Sequence, residues 1–269
     1  MKKIKKFLLP RLEILRNKVL GNVYISKISN GVLDLFFPKF CFNCKKEGSY
    51  LCQDCQSLLE ISQYQYCLCP KPKRLFQGGK CQTCRSKKLD GLYFAIPYQS
   101  PLIKELIQKF KYHPFAKELA ETLSLLIITH FQLLDNKPNF FYPVREGKSS
   151  NGANFILIPI PLNEKRLKWR GFNQSIEIAR EVSKSLKLPL VSNCLTRIKN
   201  TQPQVELSAE ARKENVKDIF VCQDKKEILG KKILLIDDLY TTGATMEEAA
   251  RVLKESGAKE VWGVVVARG

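Results

Sequence analysis

A chain of 269 residues has room for a sizeable core, and 44% hydrophobic with 26% charged residues excludes a disordered polymer. The 45 Lys and Arg against 26 Asp and Glu leave a net charge of +19, which points to anionic partners: nucleic acid, phosphorylated metabolites or a membrane surface. Residues 1–90 carry +12 of that excess, so a basic N-terminal third precedes a nearly ordinary globular body.

The first segment, residues 1–35, opens MKKIKKFLLPRLEILR. Its apolar run Phe7-Leu8-Leu9 is broken at once by Pro10 and Arg11, too short for the h-region of a secretory leader. Leu8, Leu12, Leu15 and Val19 recur at helical spacing among basic residues. Such a stripe either packs on its own protein or meets a membrane or an acidic partner. The longest apolar stretch, Leu123 to Leu134, falls short of the ~18 residues of a membrane span. With neither a leader nor a span, the expected location is the cytoplasm, where thiols are reduced or metal-bound.

Residues 36–92 hold eight of the ten cysteines, spaced Cys41-x2-Cys44, Cys52-x2-Cys55, Cys67-x-Cys69 and Cys81-x2-Cys84. A C-x2-C pair places two thiolates on one tight knuckle, and two knuckles close a tetrahedral Zn²⁺ shell. One or two structural zinc ions are expected, paired either sequentially or interleaved; Cys67-x-Cys69 is one residue shorter than a knuckle and weakens only the second. Neither His113 nor His130 lies near. Closed Cys₄ sites hold together modules too small for their own core. The surrounding Lys45, Lys46, Lys71, Lys73, Arg74, Lys80, Arg85, Lys87 and Lys88 also suit a nucleic-acid-binding ribbon, although few aromatics alternate with them.

From residue 93 to 269 helices and strands alternate. Pro101 to Tyr112 reads as an amphipathic helix with Leu102, Leu106, Ile107 and Phe110 on its apolar face. A second helix covers Ala116 to Leu134, and Pro, Gly and Ser make Asp135 to Asn154 a long loop. Phe155 to Ile160 is a buried strand, Asn173 to Leu186 a helix and Ile233 to Ile236 a short apolar strand. Thr245 opens another helix, with Glu248 completing a capping box and Gly257 as its stop. Val261 to Ala267 is the last strand. Strands that are apolar without alternation predict an α/β fold: a parallel sheet covered by helices on both faces.

The segment Lys232 to Ala258 carries the chemistry. Its buried strand leads into Asp237 and Asp238, then a short loop, Tyr240-Thr241-Thr242-Gly243-Ala244-Thr245, runs directly into a helix. Ligands of open parallel sheets bind at this carboxyl end of a strand. Converging N–H groups, Thr hydroxyls and a helix N-terminus cradle a phosphate monoester, and carboxylates a few ångströms away suit hydroxyls. Phosphate on one side and diols on the other is the shape of ribose 5-phosphate. The plainer alternative is a polar strand–turn–helix junction, against which adjacent acids beside a buried strand need a compensating partner.

ILLIDDLYTTGAT resembles the PRPP motif of type I phosphoribosyltransferases. The LIKELIQKFKY helix, the PIPLNEKRLKWRGFNQS segment and the cysteine module extend the likeness to the ComF family, competence-associated phosphoribosyltransferase-like proteins, from Leu33 to Gly269. The departure is Cys67-x-Cys69, where the family pattern reads C-x2-C. The resemblance implies that Thr241, Thr242, Gly243, Ala244 and Thr245 hold a 5-phosphate. It gives Asp237 and Asp238 to the ribose hydroxyls, one of them through Mg²⁺. It further implies an oxocarbenium-like transition state losing pyrophosphate, with catalysis by charge neutralisation. Candidate cations are Lys111, Arg166, Lys168 and Arg170, with Arg197, Lys199 and Arg212 flanking a segment similar to the family's hood loop. Two functions follow: a PRPP-binding transferase with an unspecified acceptor, or an accessory protein for DNA uptake that uses the fold as a scaffold and docks on DNA or a competence-machinery protein. The same motif serves non-catalytic PRPP sensors, so turnover is a property separate from binding.

Overall fold

The computed structural model describes residues 38–112, 116–141, 154–199 and 216–269. The expected N-terminal amphipathic segment, His113, Arg212 and most of the hood-like loop lie outside the described residues. Two compact units divide the chain, residues 1–58 and 59–269.

The described part of the smaller unit is a loop-rich fold around α1 (Gln53–Ser57). Its turns are tied by Cys41 N–H to Lys46 O at 2.9 Å and Phe42 N–H to Tyr50 O at 3.0 Å, and Phe42 stacks on Tyr50 with ring centroids 5.7 Å apart. Residues 38–58 offer only a few apolar side chains, too few for a self-supporting core.

The larger unit begins with a short antiparallel ribbon, β1 (Gln65–Tyr66) and β2 (Arg74–Leu75). It continues through β3 (Gly91–Pro97), α2 (Pro101–Tyr112), α3 (Leu119–Leu133), β4 (Phe155–Pro159), α4 (Glu164–Arg170) and α5 (Gln174–Leu186). The last elements are β5 (Leu195–Arg197), β6 (Phe220–Cys222), β7 (Lys232–Tyr240), α6 (Ala244–Glu255) and β8 (Glu260–Arg268). Four strands form one parallel sheet in the order β3-β8-β7-β4, while β5 and β6 pair antiparallel as a separate ribbon. In the sheet, Leu157 lies beside Leu234 and Ile236 beside Val264.

The parallel sheet and its helices are as the apolar runs predict. Ile233 to Ile236 are fully buried on both pleats, because α6 packs on the Ile233–Leu235 side and α3 and α5 cover the sheet from the other. The helix Pro101–Tyr112 has its expected bounds, with Ile103 rather than Leu102 in the core beside Leu106, Ile107 and Phe110. Asn173 caps α5 by accepting from the Ser175 N–H at 3.0 Å.

Three expectations differ. β7 runs past Ile236 through both aspartates to Tyr240, because β8 continues the ladder to the pair Tyr240–Arg268 whatever the side chains. The predicted capping box is absent: Glu248 instead accepts from the Asp218 N–H at 2.7 Å and pairs with Arg251 at 2.6 Å, and α6 starts at Gly243 in the left-handed region, φ 77°. The strands β3, β5 and β6 and the helix α4 are additions to the predicted elements.

Candidate functional site and cysteine clusters

Cys41, Cys44, Cys52 and Cys55 bring their four Sγ atoms within 4.8 Å of one another, as do Cys67, Cys69, Cys81 and Cys84. The pairing is therefore sequential. Sulfur separations of 3.5 Å for Cys44–Cys52 and Cys69–Cys81, and 3.6 Å for Cys81–Cys84, match the edge of about 3.8 Å that four Zn–S bonds of ~2.3 Å generate. The donor set fits zinc in both clusters, the C-x-C pair included. Backbone N–H donation at Cys84 and the Cys69 side chain pull the Cys81 thiol down to about 6, while the hydrogen bond to Cys81, followed by burial, pushes Cys69 up to about 12. Four thiolates this close ionise together only with a cation between them.

The second constellation stands at the carboxyl end of β7. Asp237 Oδ1 accepts from Ser175 Oγ and from the Asp238 N–H, both at 2.9 Å. Asp238 Oδ2 pairs with Lys111 Nζ at 2.7 Å, and both side chains are largely buried. Burial and the neighbouring Asp238 charge push the Asp237 carboxyl up to about 7, against the pull of Lys111 and Ser175. Lys111 is held above the usual lysine range: its burial opposes the charge, and Asp238 outweighs that.

Cations complete the surround. Arg170 Nη1 donates to Gln174 Oε1 at 3.0 Å, and its guanidinium lies 5.1 Å from the Tyr112 ring. Burial lowers its pKa while Tyr112 and Asp238 support its charge. Arg197 is lowered by burial and by repulsion from Arg166, and is supported by Asp237. Lys111, Arg170 and Arg197 thus act on one acidic pair from α2, α4 and β5, and Arg166 on α4 adds its charge beside Arg170 and Arg197. Lys168 is exposed on α4, and Lys199 is exposed beyond β5. The loop Thr241–Thr245 follows directly, with Thr242 Oγ1 accepting from the Ala244 N–H at 3.4 Å. A Cβ on Gly243 would collide with the Tyr240 hydroxyl, so this turn takes no other residue.

Sequence reading missed Ser175, Gln174 and Tyr112. Ser175 donates to Asp237, yet its only signal is its place in the GFNQS run, where a helix-start serine has an ordinary capping explanation.

The phosphoribosyl transferase domain family matches residues 173–269, from the cap of α5 to the end of β8. Competence protein F of Haemophilus influenzae is 29% identical over 242 residues, spanning 85% of this chain and 97% of that one. Competence protein ComFC of Bacillus subtilis is 27% identical over 219 residues, 79% and 81% of the two chains. The DNA utilization protein YhgH of Escherichia coli K12 is 32% identical over 168 residues, 62% and 66% of the two chains.

Proposed function

The chain belongs to the ComF family of phosphoribosyltransferase-like proteins, and from that premise we propose that it binds PRPP or ribose 5-phosphate at the β7–α6 junction. The observation that carries the reading is one rigid junction bearing both halves of the site: a carboxylate pair on a buried strand and a Thr/Gly loop entering a helix. In this reading Thr241, Thr242, Gly243, Ala244 and Thr245 hold the 5-phosphate by N–H and hydroxyl donation, and Asp237 and Asp238 face the ribose hydroxyls. Ser175 holds Asp237 in its orientation.

Carboxylate oxygens are the donors Mg²⁺ prefers, and the elevation of Asp237 marks a place where added positive charge is favourable. Mg²⁺ would be held there by Asp237 and Asp238, and when bound it supplies neutralisation of phosphate charge. Lys111, Arg166, Arg170 and Arg197 would stabilise a departing pyrophosphate by proximity of charge. Each cysteine cluster holds a structural zinc ion. A protein of this kind, which has no helix among its described residues long and apolar enough to cross a membrane, works in the cytoplasm.

Calorimetric titration of Mg²⁺-PRPP tests the site. The double variant Asp237→Asn/Asp238→Asn should weaken binding by about 2–4 kcal/mol, the loss of charge-assisted hydrogen bonds. Equal affinity in both proteins refutes the assignment. Turnover is then read from product formation with a panel of bases and amines.

Relatives named for competence and DNA utilization favour a second reading, in which the basic cysteine-rich region contacts DNA. Exposed Lys71 and Lys73 are the test positions: their conversion to Glu should lower oligonucleotide affinity and flatten its salt dependence by released counterions. Truncation at residue 90 is unsuitable, since the larger unit begins at Leu59. A well-folded wild type that binds DNA but not PRPP makes this the primary function.

A further inference from the structure

We propose that the Cys67–Cys84 cluster is a positioning element for the Thr241–Thr245 loop, so that losing its metal loosens the loop. This rests on the reading of that loop as a phosphate site.

Three contacts link them. Arg268, at the end of β8 and 7% exposed, donates Nη1 to the Cys67 carbonyl at 2.8 Å and Nη2 to the Cys69 carbonyl at 2.5 Å. Its guanidinium lies 5.6 Å from the Tyr240 ring. Lys87, three residues past Cys84, donates Nζ to the Leu68 carbonyl at 2.7 Å and to the Tyr240 hydroxyl at 3.3 Å. The three successive carbonyls of the Cys67-x-Cys69 turn are therefore held by two cations, one of which bonds the Tyr240 hydroxyl while the other faces its ring from 5.6 Å. Tyr240 is buried and immediately precedes the loop, and its hydroxyl occupies the space a Cβ on Gly243 would need. The far end of the loop is gripped too: the Lys88 N–H donates to Glu247 Oε2, in the first turn of α6, at 2.7 Å.

Cys67, Leu68 and Cys84 share one apolar cluster with Tyr240, Ala244 and Met246. Four thiolates drawn to one ion fix the Cys67–Cys69 backbone, hence Lys87 and Arg268, hence the ring under Gly243. Carbonyl satisfaction alone does not require both donors to converge on the one side chain beneath the loop. By linkage, ligand bound in the loop must in turn strengthen metal retention.

Hydrogen exchange of amides 241–247 in the full-length protein tests this without recourse to activity. In Cys69→Ser/Cys81→Ser these amides should exchange at least tenfold faster than in wild type, and in Cys44→Ser/Cys55→Ser at the wild-type rate. Unchanged exchange in the first variant, or equal acceleration in the second, overturns the proposal. Lys87→Met leaves all eight thiolates in place and guards against simple misfolding. It should accelerate exchange at 241–247, release zinc faster to a chelator and weaken Mg²⁺-PRPP about tenfold, with Lys87→Arg restoring all three. Lys87→Met indistinguishable from wild type in exchange and zinc release also overturns it. A wild type that binds no PRPP defeats the ribose-phosphate reading instead, and the exchange comparison still decides the coupling.

Discussion

The two cysteine clusters present the same four sulfur donors and are built from different reaches of the chain. In the first, the partners found among the described residues are local: Asn43 Nδ2 donates to Cys55 Sγ at 3.3 Å and the Cys52 N–H reaches Cys41 Sγ at 3.5 Å, across 12 and 11 residues. In the second, Arg268 reaches the Cys67 carbonyl across 201 residues, and Cys67, Leu68 and Cys84 lie in the core that supports β7 and α6. Ligand spacing tells what an ion site binds; where its backbone groups find partners tells what the site supports.

The largest effect should come from breaking one cluster at a time. Cys55→Ser should lose about one equivalent of zinc and leave the unfolding of the larger unit unchanged. Cys84→Ser should lose the same zinc and cost the larger unit more than about 4 kcal/mol, because metal binding there is also folding free energy. Metal analysis with denaturant unfolding decides; equal destabilisation by both variants erases the contrast.

Arg268→Met sharpens it without touching a thiolate. Two carbonyls lose their donors, at about 1–3 kcal/mol each, so a loss of about 2–6 kcal/mol is expected. Zinc content measured in the native state should remain that of wild type, which separates support of the cluster from ligation.

A core site independent of both clusters calibrates the comparison. His130 is buried among Tyr93, Phe94 and Phe131, with Nδ1 2.6 Å from the Ser62 carbonyl. Burial pushes its pKa down from 6.5 to about 4, the carbonyl contact only partly opposing. The unfolded chain takes up the proton first, so this stability is complete above pH ~6.5 and declines as pH falls toward 4. About 2 kcal/mol should go between pH 7.5 and pH 5. Urea midpoints of wild type and His130→Phe at the two pH values read it, the variant cancelling any contribution from the thiols; parallel pH profiles would falsify the assignment.

The smallest effect belongs to α4, whose seven residues include none that is buried although it carries Arg166 and Arg170. Asn163 caps it by accepting from the Lys165 N–H at 2.9 Å. Asn163→Ala should cost about 1 kcal/mol, weaken anion binding and leave zinc at both clusters intact.

Local chemistry was legible in the residues alone. Ligand types at fixed spacing identify Cys₄ sites, unalternating apolar runs identify buried parallel strands, and two acids followed by a Thr/Gly turn mark the strand–loop–helix junction proposed above as the phosphate site, because each is decided within a dozen residues. Helix Pro101–Tyr112 is readable for the same reason: its burial period is its own. The missed elements depend on distant partners. β5 and β6 are three residues each and exist through pairing across the segment between them, and β7 extends past its apolar run because β8 continues beside it. The salt bridge of Lys111 with Asp238 and the bond from Ser175 to Asp237 join helices to a strand far along the chain. That the second cysteine cluster belongs to the sheet domain was decided only by tertiary structure: the donors that satisfy its carbonyls come from Lys87 and from Arg268 at the far end of β8, and no spacing within the cysteines encodes them.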